Sequence, residues 1–392
     1  MDLKKLLQKI DKNGQKYQGK VPTGDMNGAG EYKLTEGGTW VDGFYAGVYN
    51  IAYLLSGEEK FLDYSRAYEK LWDKRIINTG EVNERHGFME LDHDVGFIFL
   101  PACGFLAHNF ADEKAREICI KAADVLADRF NEKGNFIKAW NTWRWDTNPE
   151  FIREKKGKVI IDSLMNLPLL FQAAQWTGEE RYYNIGYKHA ETVAKYIVRE
   201  DWTTFHTYNF NPDTGAPIAG RTGQGYSDSS CWSRGQAWGV YGFALAYKYT
   251  KDEKFLEYSK GLAEYFMKHL SGTDIPCWDF AAADQTFAPW DSSAAAICAS
   301  GLMELADLTD AKDAEYYVQQ AKRLMSALDK WCSTEDYPRM EPILIHGCGG
   351  SAYREGYEKQ IKSPAICQAF TFGDYYYMET LLKMSDCKIR IF

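Results

Sequence analysis

Several common signatures are missing from this 392-residue chain. Its nine cysteines form no C-x-x-C pair. That excludes a paired-cysteine zinc site or a thioredoxin-type redox motif, and an odd, scattered set reads as reduced thiols. No stretch approaches the roughly 20 apolar residues of a membrane helix. The opening MDLKKLLQKIDKNGQKYQGK lacks the apolar core of a secretory signal. The expectation is a cytoplasmic protein with no membrane partner. Basic blocks are also absent: 46 Lys and Arg stand against 55 Asp and Glu, a net charge of -9. Nucleic acid is therefore not an expected partner. There is no H-E-x-x-H, no P-loop lysine, no dinucleotide-binding glycine pattern and no G-x-S-x-G elbow. No metal and no cofactor are expected. What is abundant is aromatic, with 12 Trp and 26 Tyr. In a soluble chain this suggests stacking surfaces, which sugars use.

A phrase recurs along the chain: SGEEKFLDYSRAYEKLW from Ser56, TGEERYYNIGYKHAETVAKYI from Thr177 and TKDEKFLEYSKGLAEYFMKHL from Thr250. Weaker copies start at Ala111 and Asp310. Each copy reads as a polar turn, a charged helix start and apolar residues at helical spacing. A more apolar segment precedes each copy, as in GFYAGVYNIAYLL, DVGFIFLPACGFLA, DSLMNLPLLFQAAQW, SRGQAWGVYGFALAY and DSSAAAICASGLMEL; a sixth, GDYYYMETLLKM, follows near the end. Helices apolar all round belong inside and amphipathic ones outside. Alternation of the two predicts an all-α fold, an (α/α)6 barrel formed as one catalytic domain over 1–392. The terminal segments lack the polar caps an open helical array needs.

In such a ring the inner helices run parallel and their N-termini share one end. Asp42, Asp94, Asp162, Ser233, Asp291 and Asp374 stand at those starts. Helix capping accounts for such residues, because their oxygens accept from free amides. Capping does not account for their company: Trp40 and Phe44, His93, Trp140, Trp143 and Trp145, His206, Gln224, Arg234 and Trp238. Aromatic faces with a few charged groups suit a polar, flat-faced ligand such as a sugar. Carboxylates are then the credible acid–base groups, as they are in glycosidic cleavage.

HDVGF, FIKAWN, IIDSLMNLPLL, FHTYNFNPDTG, SDSSCWSRGQAWGVYGFALAY and FGDYYYMETL, in that order, resemble the unsaturated glucuronyl hydrolases, glycoside hydrolase family 88. The resemblance covers nearly the whole chain, and WSRGQAW is its most specific piece. It implies an (α/α)6 barrel acting on oligosaccharides whose terminal uronic acid carries a C4=C5 double bond. A carboxylic acid protonates C4 of this vinyl ether, water adds at C5, and the resulting hemiketal collapses to release the remaining sugar. The same resemblance makes Asp162 the catalytic acid and base and Asp94 the second essential aspartate. Trp40, Trp140 and Trp238 become the aromatic lining, and His93, His206, Gln224 and Arg234 the polar wall. Arg234 is the choice for the charge partner of the uronate, since a guanidinium fork fits a carboxylate. In sulfate-recognising members a Ser- and Lys-bearing loop lies late in the chain. The corresponding CGGSAYREGYEKQIKSPA offers Ser351, Arg354 and Lys359 to a neighbouring sugar, and its sulfation stays open.

The partner expected is an unsaturated oligosaccharide, and the assembly a monomer or small homo-oligomer. Burial beside Val159, Ile160 and Ile161, with Asp94 nearby, is expected to raise the Asp162 pKa against the helix N-terminus, giving mildly acidic activity. The stretch between Trp140 and Asp162 reads as an exposed loop or elongated turn. Three alternatives stay open: an unsaturated rhamnogalacturonyl hydrolase, a sugar epimerase or isomerase on the same toroid, and a non-catalytic sugar-binding toroid.

Overall fold

A computed structural model describes residues 1–26, 30–77, 91–142, 146–282, 288–350, 367–387, 389 and 391. Six helical segments form an inner ring: Phe44–Ser56, Val95–Phe110, Leu167–Thr177, Ser233–Thr250, Ser292–Leu308 and Thr371–Met384. Each packs on the next, and the last packs on the first, so the ring is closed. Outside it lie Glu59–Ile77, Glu113–Ala127, Glu180–Tyr196, Glu253–Lys268, Ala311–Trp331 and the opening helix Leu3–Tyr17. This is the expected (α/α)6 barrel. No helix among the described residues is long and apolar enough to cross a membrane.

The sequence repeat has a physical meaning. At Ser56, Thr177 and Thr250 the side-chain hydroxyl donates to the carbonyl four residues back. It then accepts the amide two residues on, at Glu58, Glu179 and Asp252. The residue following each hydroxyl is left-handed: Gly57, Gly178 and Lys251. One hydroxyl thus ends an inner helix and opens the turn into the outer one. The weaker copies use ordinary N-caps, Asp112 and Asp310.

The capping account of the inner helices needs correction. Of the six polar residues, only Asp291 accepts a helix-start amide as an N-cap, from Ser293. Asp42 accepts from Gly38 and Thr39 and pairs with buried Arg75, so it closes the turn before the helix. Asp374 sits inside its helix and holds the Ile343 and Leu344 amides and the Tyr32 hydroxyl. Ser233 donates to the Trp278 carbonyl. Asp94 and Asp162 make no capping bond. Nor does Asp162 open an α-helix: it lies in a 3-10 turn, Ile161–Asn166, ahead of Leu167–Thr177.

Two further departures from expectation have local causes. The second inner segment is broken by a π turn over Leu100–Gly104, where Pro101 removes a donor and its carbonyl accepts from Asn50. The stretch read as a loop before Asp162 contains a helix, Pro149–Lys156, and a strand, Lys158–Ile160. Asn148 caps that helix, accepting from Glu150 and Phe151, with Pro149 at its first position. The strand belongs to an antiparallel three-stranded sheet with Thr207–Phe210 at its centre and Pro217–Arg221 on the far side.

Candidate active site

Asp162 follows directly from that sheet. Val159, Ile160 and Ile161 are buried, and the Ile161 amide donates to the His206 carbonyl. The next residue is held by a relay whose proton positions can be deduced. The Ile137 amide donates to His189 Nδ1 at 2.9 Å, so His189 carries its proton on Nε2. That nitrogen lies 2.6 Å from Ser163 Oγ, which in turn donates to the Ile160 carbonyl. Asn166 Nδ2 reaches the Asp162 carbonyl, and Asn166 Oδ1 accepts the Phe97 amide of the second inner segment. Backbone and neighbours are thereby fixed, while the Asp162 carboxyl is left alone. Its Oδ1 is buried and has no hydrogen-bond partner among the described residues. Burial pushes the pKa up to about 7, opposed by the Arg234 charge and by its own backbone amide.

Across the cavity stand Asp92, His93 and Asp94. The His93 amide donates to Ala139, next to Trp140, and the Asp94 amide to Asp92. The imidazole of His93 meets Trp140 edge-on at 6.5 Å. It is buried, and neither ring nitrogen makes a hydrogen bond among the described residues, although Nε2 lies 3.4 Å from Asp94 Oδ1. Burial and the Arg129 charge hold it well below the usual histidine range, so it is neutral. Burial, then the charges of Asp92 and Asp162, drive the Asp94 carboxyl well above the usual range. One ligand atom from each of Asp92, His93 and Asp94 lies within 4.8 Å of the others.

The third wall carries the positive charge. Arg234, in the first turn of Ser233–Thr250, pairs with Asp291 and donates to the Cys348 carbonyl and to Gln224 Oε1, each at 2.9 Å. Its guanidinium lies over Trp232 at 4.6 Å. This fork is largely committed to the protein, so it offers an oriented edge to a ligand more than an unpaired charge. His206 accepts the Gly223 and Gln224 amides at Nδ1, which places its proton on Nε2; that nitrogen is buried with no partner among the described residues. Burial lowers its pKa to about 3.

These walls enclose a cavity of about 490 Å³. Trp40, His93, Asp94, Trp140, Asp162, Gln224, Arg234 and Trp238, all singled out in the sequence, line it. His206 does not reach the lining; it stands behind Gln224, whose amide it accepts. Ser351, Arg354, Lys359, Trp143 and Trp145 lie outside the described residues. Sequence reasoning missed Thr23, Gly24, Gly349, Gln368, Phe370, Thr371 and Phe372, which also line the cavity. Thr23 and Gly24 come from the hairpin Val21–Met26/Tyr32–Thr35, Gly349 from the segment just after Gly347, and the others from the chain that enters and begins the last inner helix. The stacked spacing of Phe370 and Phe372 was the one visible signal.

The cavity concentrates unpaired polar groups. Besides Asp162 and His93, Trp238 Nε1 and Thr371 Oγ1 are buried and without a partner among the described residues. Each such group costs about 1–3 kcal/mol in an empty protein. Four of them around one cavity are explained by a polar ligand that satisfies them. Trp40, Phe372 and Trp238 supply the apolar faces between them, with Phe97 packed against both tryptophans.

Comparison with known proteins agrees with this geometry. The model of Glycosyl Hydrolase Family 88 matches residues 9–384. The unsaturated chondroitin disaccharide hydrolase of Streptococcus pneumoniae is 34% identical over 357 residues, covering 90% of this chain and 83% of its own. The unsaturated glucuronyl hydrolase of Bacillus sp. GL1 is 33% identical over 362 residues, covering 91% and 89%. Its crystal structure superposes with a TM-score of 0.85 at 30% identity, over 97% of this chain and 95% of that one. A mutant unsaturated glucuronyl hydrolase of Streptococcus agalactiae, complexed with dGlcA-GalNAc6S, gives 0.79 at 30% identity, over 99% and 91%.

Proposed function

The chain belongs to Glycosyl Hydrolase Family 88, and on that premise we propose that it removes the terminal unsaturated uronic acid from glycosaminoglycan-type oligosaccharides, with Asp162 as acid and base. It is a glycoside hydrolase of the unsaturated glucuronyl hydrolase type. The relatives matched carry unsaturated glucuronyl or chondroitin disaccharide names, which favours this reading over a rhamnogalacturonyl hydrolase or an epimerase.

The observation that carries the assignment is the half-buried Asp162 carboxyl, its Oδ1 buried and unpartnered among the described residues, pushed up to about 7 at the wall of an aromatic cavity. At neutral pH about half of such a carboxyl is protonated, the useful compromise for a general acid. It gives its proton to C4 as the double-bond electrons move, leaving positive charge shared between C5 and the ring oxygen. The carboxylate then takes a proton from the water that adds at C5, which restores the acid. Collapse of the hemiketal opens the ring and releases the remaining sugar. Asp94 meets the ring hydroxyls, and burial with the charges of Asp92 and Asp162 pushes its carboxyl toward the protonated form, which can donate as well as accept. Trp40, Trp140 and Trp238 bear on the sugar faces; His93, Gln224 and Arg234 form the polar wall, with His206 fixing Gln224 from behind. Arg234 is the partner for the uronate carboxylate. The reaction takes place in the cytoplasm, in one domain spanning 1–392, as a monomer or small homo-oligomer.

The test is Asp162→Asn on unsaturated disaccharides, followed by loss of the ultraviolet absorbance of the double bond. The variant keeps the side-chain shape and loses the transferable proton. Turnover drops by roughly 10²–10⁴ or more while KM changes little. Near-normal turnover would remove Asp162 from the mechanism. In wild type, kcat/KM is highest under mildly acidic conditions and falls as pH rises through about 7; a profile still rising at about pH 8 contradicts the acid role.

A further inference from the structure

The cavity contains an aromatic ring whose surroundings are built from missing side chains. Phe370 is half-buried and lines the same cavity as Asp162. A Cβ at Gly24 would lie 2.7 Å from its Cδ1, and one at Gly347 would lie 2.5 Å from both Cδ2 and Cε2. At Gly349 a Cβ would lie 2.9 Å from its Cζ. Real Cβ atoms do not approach so closely, so three glycines frame both edges and the tip of one phenyl ring. None of the three has a positive φ, so close approach, and not backbone conformation, explains glycine here.

The frame joins two distant parts of the chain. Gly24 belongs to the hairpin strand Val21–Met26. Gly347 is bridged to Gln368 by a reciprocal pair of backbone hydrogen bonds of 2.8 and 2.9 Å. One face of the ring is taken: Phe372 stacks on it with centroids 4.8 Å apart and planes 9° from parallel. Phe372 continues to Trp40 at 5.0 Å, and the Arg234 guanidinium lies 5.8 Å from Phe370 and 5.5 Å from Phe372. Edges, tip and one face of half-buried Phe370 have these neighbours, which leaves its other face to a ligand. Burial grades along this wall, from Phe372 at 3% and Trp238 at 1% exposure inside to half-buried Phe370 outside.

We propose that Phe370 is the stacking platform for the leaving sugar, held rigid by Gly24, Gly347 and Gly349. This rests on the glucuronyl hydrolase reading, in which the unsaturated ring is at Asp162 and the next sugar occupies the outer cavity. A phenyl face fixed on three sides presents a flat apolar surface with little ordering entropy left to lose. The C–H face of a pyranose is its complement. The platform selects leaving sugars that expose such a face. Because hydration takes place at C4 and C5, a substrate with a very small leaving group still undergoes the reaction without using the platform.

The experiment compares an unsaturated glucuronyl disaccharide with the methyl glycoside of the same unsaturated uronic acid. For Phe370→Ala and Phe370→Leu, the ratio of kcat/KM for disaccharide over methyl glycoside is expected to fall about tenfold, mostly through KM. Phe370→Tyr restores the ratio to within about twofold. Gly24→Ala, which pushes the ring out of its frame, lowers the ratio in the same direction. A ratio unchanged in both Phe370→Ala and Phe370→Leu overturns the platform, as does an equal loss on the two substrates, the pattern of a merely structural residue. If wild-type enzyme cleaves neither substrate, the glucuronyl hydrolase reading itself fails and the platform with it.

Discussion

Two carboxyls of the inner ring, Asp162 and Glu304, meet opposite surroundings. At the N-terminal end of the inner helices, Asp162 has an oxygen with no partner among the described residues and a pKa pushed up to about 7 by burial. Further along the inner helices lies Glu304, which is buried. It accepts from Lys383 at 2.8 Å and from Lys248 at 3.0 Å, and its pKa is lowered to about 2 because the two ammonium groups outweigh burial. Lys383 also donates to Tyr241, and Glu379 accepts from Tyr241, Ser300 and Tyr375. Desolvation pushes both carboxyls up; the close ammonium partners of Glu304 are what differ. A paired buried charge holds helices in register, whereas an unpaired acid is left protonated and reactive. The ring gives its buried carboxylates partners at both ends, as at Asp42, Asp291 and Asp374, and among the described residues withholds one at Asp162 Oδ1.

Neutralising each carboxyl should have opposite consequences. The largest effect is on rate: Asp162→Asn costs roughly 10²–10⁴ in kcat and leaves thermal stability equal or higher, since an amide removes a costly buried acid. A matching loss of stability would place Asp162 in the scaffold. Next is Glu304→Ala, which removes the closest carboxylate from buried Lys383 and takes one carboxylate from Lys248. Lys383 is left with the Tyr241 hydroxyl, the Ser300 carbonyl and Glu379 at 3.9 Å. Urea denaturation should show a loss of about 3–5 kcal/mol, with kcat/KM of the folded fraction close to wild type. If the loss is under about 1 kcal/mol, the paired network does not hold the ring.

Stability against pH separates the two carboxyls by sign. The Asp162 pKa is raised above its ordinary 3.8, so the folded state binds the extra proton and loses stability as pH climbs from there to about 7. Glu304 is lowered from 4.5 to about 2, so its contribution is present above 4.5 and is lost as pH falls toward 2. Asp162→Asn should flatten the loss between mildly acidic and neutral pH by on the order of a few kcal/mol at most, read from denaturation midpoints at the two conditions. The smallest effect is at Thr371, whose hydroxyl is buried and unpartnered at the cavity. Thr371→Val keeps the branched shape and should stabilise the free enzyme by up to about 1 kcal/mol while raising KM a few-fold. Destabilisation with unchanged KM would show that the hydroxyl serves the fold.

The difference between the two surroundings also explains what could be read in the sequence. The ring was legible because inner and outer helices differ in how much of their circumference is apolar, and because the turns at Ser56, Thr177 and Thr250 repeat one hydroxyl device. His93 and the lining tryptophans were legible as company that capping does not require, whereas Asp94 and Asp162 looked like any other cap and were set apart by the family resemblance. The capping explanation itself was not reliable: Asp42 and Asp374 bind turns and a distant strand segment, which only tertiary contacts reveal. The helix Pro149–Lys156 carried a readable start in Asn148-Pro149-Glu150, hidden by the charges that follow. Thr23, Gly24 and Gly349 join the cavity by closure of the ring and carry no chemistry of their own to announce it. Glu304 and Lys383 resemble surface charges of amphipathic helices until the ring faces them toward each other.

The most direct test is the ionisation of Asp162 itself. Carboxyl-labelled aspartate, followed by NMR in wild type and Asp162→Asn, isolates one resonance by difference. Titration near 7 is the expected result; a midpoint near the ordinary 3.8 would mean that the carboxyl is an anion throughout the working range and cannot be the proton donor.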